Sequence, residues 1–323
     1  MSTANLVPET WNLTGDDAKD TLARTGRWRL IRDGFQRLRS ADGSSHARSM
    51  AYATALIAIQ GIIALVGLAS ILGPNGLGNL IVNTLKTVAP GPAGAVLTDA
   101  VKHAHKAGSA DHYVALSLGL LGALITGTIL MGQIERALNR LYGVERDRPT
   151  LQKYGRALVL TLSAGILTVA AFVALALGRG IGSSFSSSTA SSVWAVVRWP
   201  AAFLLLVGAT ALTFRRSPYR HQPSWSWLAF GAGFAVILVF AVTVGLDLVF
   251  RVSATFGETY GSLAGIVALL FWALLASLAF LFGAAVAVQL EAVRAGRAVP
   301  QTDERVSAPP VVIEDAVQPL PTR

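Results

Sequence analysis

The chain has no cysteine among its 323 residues. Disulfides, thiolate metal sites and cysteine nucleophiles are therefore excluded. Charge is also scarce: Asp, Glu, Lys and Arg make up 14% of the chain, against 53% hydrophobic residues and a mean hydropathy of +0.53. Two stretches, Ser49 to Leu85 and Thr259 to Leu290, carry none of the four charged residue types. A bilayer core about 30 Å thick is crossed by roughly 20 apolar residues of helix, and both stretches are longer than that. They lack the strict alternation of barrel strands, and a lipid-spanning backbone must satisfy its own polar groups. These observations predict an all-α, polytopic membrane protein.

Enzyme signatures are missing as well. HExxH, GxSxG and P-loop patterns do not occur. No acidic cluster offers paired-metal chemistry, and no cofactor is called for. The net charge of +9 raises the question of nucleic acid, but the charge is placed otherwise.

Six spans are expected, near residues 50–72, 113–132, 157–178, 193–214, 227–250 and 260–289. The first lies too deep in the chain to read as a cleaved signal peptide. Between the spans, Lys plus Arg number eight in residues 1–48, three in 73–112 and six in 133–156. One then falls in 179–192, three in 215–226, one in 251–259 and four after residue 290. High and low counts alternate, which the positive-inside rule reads as an even number of spans with both termini cytoplasmic.

Residues 1–23 read as a disordered tail. Residues 24–48, which open with "RTGRWRLIRDGFQRLRS", read as a basic amphipathic helix in the cytoplasmic headgroup layer, with Trp28, Ile31, Phe35 and Leu38 at helical spacing. A six-helix domain is expected over 49–291. Its outer loop, 73–112, is long enough to hold structure. Two short amphipathic helices separated by Pro90 and Pro92 are expected there. The proline-rich segment 292–323 reads as disordered. Gly119, Ala123 and Gly127, and again Ala279, Gly283 and Ala287, form stripes of small residues that let helices approach closely. "QIE" (133–135) and "QLE" (289–291) each close a span running inward. The surrounding spans do not align as two halves, so no internal repeat is read from them.

Several stretches taken together resemble the YihY/virulence factor BrkB family: "ALNRLYGVERDRP" (137–149), "RWP" (198–200), "FRRSPYRHQPSWSW" (214–227), "YGSLAGIVALLFW" (260–272) and "FLFGAAVAVQLE" (280–291). The resemblance implies a six-helix protein of the bacterial plasma (inner) membrane and a role in the envelope, with lipid-related transport among the suggestions. A ribonuclease label attached to the family fits none of the residues here. The chain departs from the pattern where Ala285 and Ala287 stand, since the family commonly has Glu and Asn there. Gln60-Gly61 also stands where a proline is usual.

Two candidate sites emerge. At the inner rim, "QIERALNRLYGVERDRP" (133–149) holds seven charged residues. Glu135, Arg136, Asn139 and Arg140 there would form a headgroup site or gate; the structural alternative is basic side chains that snorkel and fix topology. At the outer face, Arg179, Arg198 and Arg251, which the positive-inside rule does not require, would hold an anionic headgroup with arginine forks. Asp247 stands one turn before Arg251, suited to pairing with it or to ion coupling. Their plain alternative is three separate interfacial anchors. His103, His105 and His112 lie near Asp99 and Asp111, but no further ligand has firm spacing, and no metal site is assigned.

The leading expectation is transport or handling of an envelope component such as an anionic lipid. The other is a non-transporting membrane scaffold for envelope proteins. Expected partners are anionic membrane lipids, with a second copy or an envelope protein as further candidates, and no nucleic acid.

Overall fold

The computed structural model describes residues 4–71, 109–184, 188–252 and 263–300. Its helices are α1 (Gly15–Thr25), α2 (Arg27–Ser40), α3 (Gly43–Ile71), α4 (Ser109–Leu141), α5 (Thr150–Ser184), α6 (Ser188–Arg216), α7 (Trp225–Val252) and α8 (Ala264–Arg294). Helices α3 to α8 are each long and apolar enough to cross a membrane. They correspond one to one with the six expected spans. The two outer amphipathic helices expected in 73–112, and the tail beyond residue 300, lie outside the described residues.

Each long helix packs on the next, and α8 closes the ring onto α3. The small residues set the spacing. A Cβ on Gly119 of α4 would lie 2.5 Å from the backbone nitrogen of Ala64 in α3, and one on Gly283 of α8 would lie 2.6 Å from Cα of Ala235 in α7. No side chain fits at either crossing, so glycine is needed for these helices to touch. Ala285 and Ala287, where the family pattern has polar groups, are buried in α8. Pro200 sits inside α6, where it removes one intrahelical hydrogen bond.

The main core lies at the end of the bundle where residues 4–14 meet the end of α8, which we call the basic end. It joins Leu138, Leu141 and Tyr142 of the α4 terminus to Trp227, Leu228, Leu281 and Leu290. Toward the opposite end many large apolar side chains point outward, as on α4 (Leu118, Leu121, Ile125) and α7 (Ile237, Phe240, Leu248). Outward apolar surface of this kind is what lipid covers.

Two expectations about the N-terminal segment are corrected. Residues 4–23 are not a loose tail. Val7 N donates to Tyr142 O at 3.0 Å, Asn5 N to Pro300 O at 3.2 Å and Ser224 N to Leu13 O at 3.2 Å, so the segment is a strap across the basic end. It continues into α1, which a Thr14–Asp17 capping box starts and which Arg294 holds to α8 through Asp17 at 2.9 Å. The polar composition of 15–25 hid this helix, because its anchors are partners far away in sequence. The second correction concerns 24–48, which is not one helix. Asp42 takes a positive φ of 53°, a conformation Asp tolerates better than most residues. Its carbonyl accepts from Ser45 and His46 as α3 begins. Trp28 and Phe35 remain exposed on α2, but Leu38 joins Leu30 and Arg37 on its buried face, which packs on α8.

Candidate functional site at the basic end

The last turns of α4 and α8 bring glutamates to the same end of the bundle, and each meets an arginine from a connecting loop. Glu135 lies 3.1 Å from Arg148, with side chains 2% and 7% exposed. Glu291 lies 2.7 Å from Arg220, with side chains 0% and 2% exposed. Charges this deeply buried persist only when paired and hydrogen-bonded.

Arg148 is well supplied. Its Nη1 donates to Ser217 O at 2.7 Å and its Nη2 to Pro218 O at 2.8 Å, while its guanidinium lies 4.9 Å from the centre of the Tyr219 ring. It clasps the α4–α5 connection to the α6–α7 connection. Asn139 reinforces that clasp by accepting from Tyr219 N at 2.8 Å and donating to Asp147 at 3.2 Å. Asp147 also faces Lys153 at 3.2 Å and Arg136 at 3.6 Å. Burial pushes the Asp147 carboxyl up, but hydrogen bonds from Asn139 and Lys153 and the charge of Arg136 outweigh it and hold the group below the usual range.

Arg220 is supplied differently. Its Nη2 donates to Glu291 at 2.7 Å and to Pro8 O of the strap at 2.9 Å, and its guanidinium lies 4.2 Å from the centre of the Tyr142 ring. Thr10 donates to the same Glu291 oxygen at 2.6 Å. Tyr142 donates to Gln222 at 2.9 Å; burial, and then the Glu291 charge, push its phenol well above the usual range. A third arginine, Arg37, is fully buried. It donates to Gln289 Oε1 at 2.7 Å, Leu141 O at 3.0 Å and Asn5 O at 3.1 Å. Burial lowers it to about 10, which leaves it charged at neutral pH.

Of the expected inner-rim residues, the structure thus gathers Glu135, Arg136 and Asn139 into one network. Arg140 lies on the same terminal stretch of α4, half-buried. The deeper members, Arg37, Arg148, Arg220, Gln289 and Glu291, do not stand out as site residues in the sequence. The shared Gln-x-Glu at 133–135 and 289–291 is a usable signal, since both glutamates take a buried arginine.

The expected outer site is less fully described. Arg198 lies in α6 with its guanidinium 5.8 Å from the centre of the Trp199 ring, and its Nε is buried without a hydrogen-bond partner. Arg179 falls on α5, and Asp247 and Arg251 on the last turns of α7. The side chains of Arg179 and Arg251 lie outside the described residues, as do His103 and His105.

Six helices long and apolar enough to cross a membrane among the described residues, with buried ion pairs gathered at one end of their bundle, define a polytopic membrane protein. The chain belongs to the virulence factor BrkB family, whose model matches residues 34–307. Among curated relatives it is 30% identical over 173 residues to the putative ribonuclease-like protein YfkH of Bacillus subtilis (strain 168), covering 52% of this chain and 62% of that protein. It is 28% identical over 179 residues to a UPF0761 membrane protein of Halorhodospira halophila (strain DSM 244 / SL1), covering 55% of this chain and 39% of that one. The match spans less than two thirds of the length of either relative. No solved structure matches significantly.

Proposed function

We propose that this protein moves or positions an anionic envelope lipid in a bacterial plasma membrane, with both termini in the cytoplasm and the basic end at the inner leaflet. The observation that carries this reading is the Arg220–Glu291 pair. It ties α8 to the α6–α7 connection and to the strap, yet buried ion pairs are weak stabilisers relative to apolar packing. Such a pair suits a latch that opens and re-forms as helices shift, with Glu135, Arg136, Asn139 and Arg140 forming the rim beside it. Arg198, with Arg179, Arg251 and Asp247, would meet the headgroup at the other leaflet. No catalytic role is proposed, and the ribonuclease-like name of one relative is not carried over to this chain.

Proteoliposomes containing fluorescent phosphatidylglycerol test this reading. The protein should speed the label's passage between leaflets, measured by its quenching from outside, well above protein-free vesicles. Equal rates would remove the transport reading and leave the non-transporting scaffold.

A further inference from the structure

Beside the Arg220–Glu291 pair lies a cavity of about 370 Å³ lined by Arg156, Arg215, Arg216 and Arg220. It draws its walls from the start of α5, the end of α6 and the α6–α7 connection, and the strap adds Trp11. The Trp11 ring stacks on His221 at 4.1 Å.

Three carboxylates act on this cluster: Glu291 is taken by Arg220, Glu9 lies 3.1 Å from His221, and Glu135, paired with Arg148, also acts on Arg156. Among the described residues, none of Arg156, Arg215 and Arg216 has an ion-pair partner within 4.0 Å. Arg156 Nε donates to Arg216 O at 2.7 Å, and Arg215 lies 4.7 Å from the centre of the Trp225 ring. Positive charge therefore exceeds negative charge around the cavity. Buried donors also go unmet: Nε and Nη1 of Arg220 and Nε2 of Gln222 have no hydrogen-bond partner. A buried donor left unpaired is costly and uncommon. An acceptor-rich anion would answer both the surplus charge and the idle donors.

We propose that this cavity is a phosphate-binding site, built for a phosphate group carried by a lipid or by a soluble ester. Arginine forks match phosphate oxygens in geometry and charge. The site does not depend on the transport reading, since a protein that moves no lipid could still hold phosphate here.

The test uses the full chain in a neutral detergent, titrated calorimetrically with inorganic phosphate, and the same protein in nanodiscs of phosphatidylcholine with and without phosphatidylglycerol. The variant is Arg215→Gln/Arg216→Gln. Its charge-matched control is Arg24→Gln/Arg27→Gln, at exposed positions that do not line the cavity. Inorganic phosphate should bind saturably to wild type and control, and at least about tenfold more weakly to the variant, the loss of one charge-assisted hydrogen bond. Phosphatidylglycerol that competes with inorganic phosphate identifies a lipid headgroup as the natural source; absence of competition identifies a soluble phosphate. No saturable binding of either probe, or equal weakening in the control, overturns the site. Unchanged thermal unfolding of the variant separates lost binding from lost folding. Phosphate binding without lipid passage would remove only the transport reading, and passage without phosphate binding only this site.

Discussion

The two buried Glu–Arg pairs at the basic end look alike in sequence and differ in what surrounds them. Glu135 closes α4 and meets Arg148 from the loop that directly succeeds it; Glu291 closes α8 and meets Arg220 from a loop two spans earlier. Around the first pair the arginine has two carbonyls in hydrogen-bond reach and a ring beneath it, and Glu135 Oε1 is the atom without a hydrogen-bond partner. Around the second, two guanidinium nitrogens and Glu291 Oε2 lack hydrogen-bond partners, and the arginine faces a cavity. In the first, the arginine is spent on a clasp between loops. The other is left open toward a strap and a cavity, and we place function there.

The largest expected effect breaks the open pair. Glu291→Ala leaves the Arg220 charge buried with only Pro8 O and the Tyr142 ring for company, and should cost about 3–5 kcal/mol. The shift in the unfolding midpoint in detergent reads it. Glu291→Leu combined with Arg220→Met should recover most of that loss, because no unpaired charge then remains. Glu135→Ala should cost less, about 1–3 kcal/mol, since Arg148 keeps both carbonyl partners. Equal losses at the two glutamates would erase the contrast between clasp and latch.

How much of this is legible in the sequence depends on where each signal lies in the chain. The six spans come from unbroken apolar runs, which lipid demands and which can be measured directly along the chain. The small-residue stripes are legible for the same reason, although Gly119 faces α3 and Gly283 faces α7. Glu135, Arg136 and Asn139 stand out because they crowd into one short stretch. Arg220 and Glu291 do not, because 71 residues separate them and each has ordinary neighbours. Arg37 reads as one of several arginines flanking a headgroup helix; its burial depends on Asn5, Leu141 and Gln289, which no periodicity connects to it. The strap escapes a reading of composition because its contacts are scattered and reach distant residues: Val7 enters the core, Thr10 donates to Glu291, Trp11 stacks on His221, and backbone hydrogen bonds join Val7 to Tyr142 and Leu13 to Ser224.

A smaller effect sharpens the open side. Trp11→Ala removes the ring stacked on His221 and should loosen the strap by about 0.5–1.5 kcal/mol. Limited trypsin digestion should then cut faster at Lys19 and Arg24, behind the strap. An unchanged cleavage rate would mean that the backbone hydrogen bonds at Val7 and Leu13 hold the strap without the ring.

The smallest effect sharpens the clasp side and depends on pH. Asp147 sits below the usual carboxylate range because Asn139, Lys153 and Arg136 favour its charged form over the opposing effect of burial. A carboxyl depressed in the folded state contributes stability that is fully present above its unfolded value, near 3.8, and is lost as pH falls through the folded value. The side chain is 39% exposed, so solvent screening keeps the contribution below about 1 kcal/mol. Asp147→Asn should therefore lower the melting temperature slightly at pH 6, and the gap to wild type should narrow as pH drops below about 4. A gap that stays constant from pH 6 to pH 3 would mean that Asp147 acts through its hydrogen bond with Asn139 alone. The clasp would then owe its hold to Arg148 and the carbonyls rather than to charge around the loop, which would widen its difference from the latch.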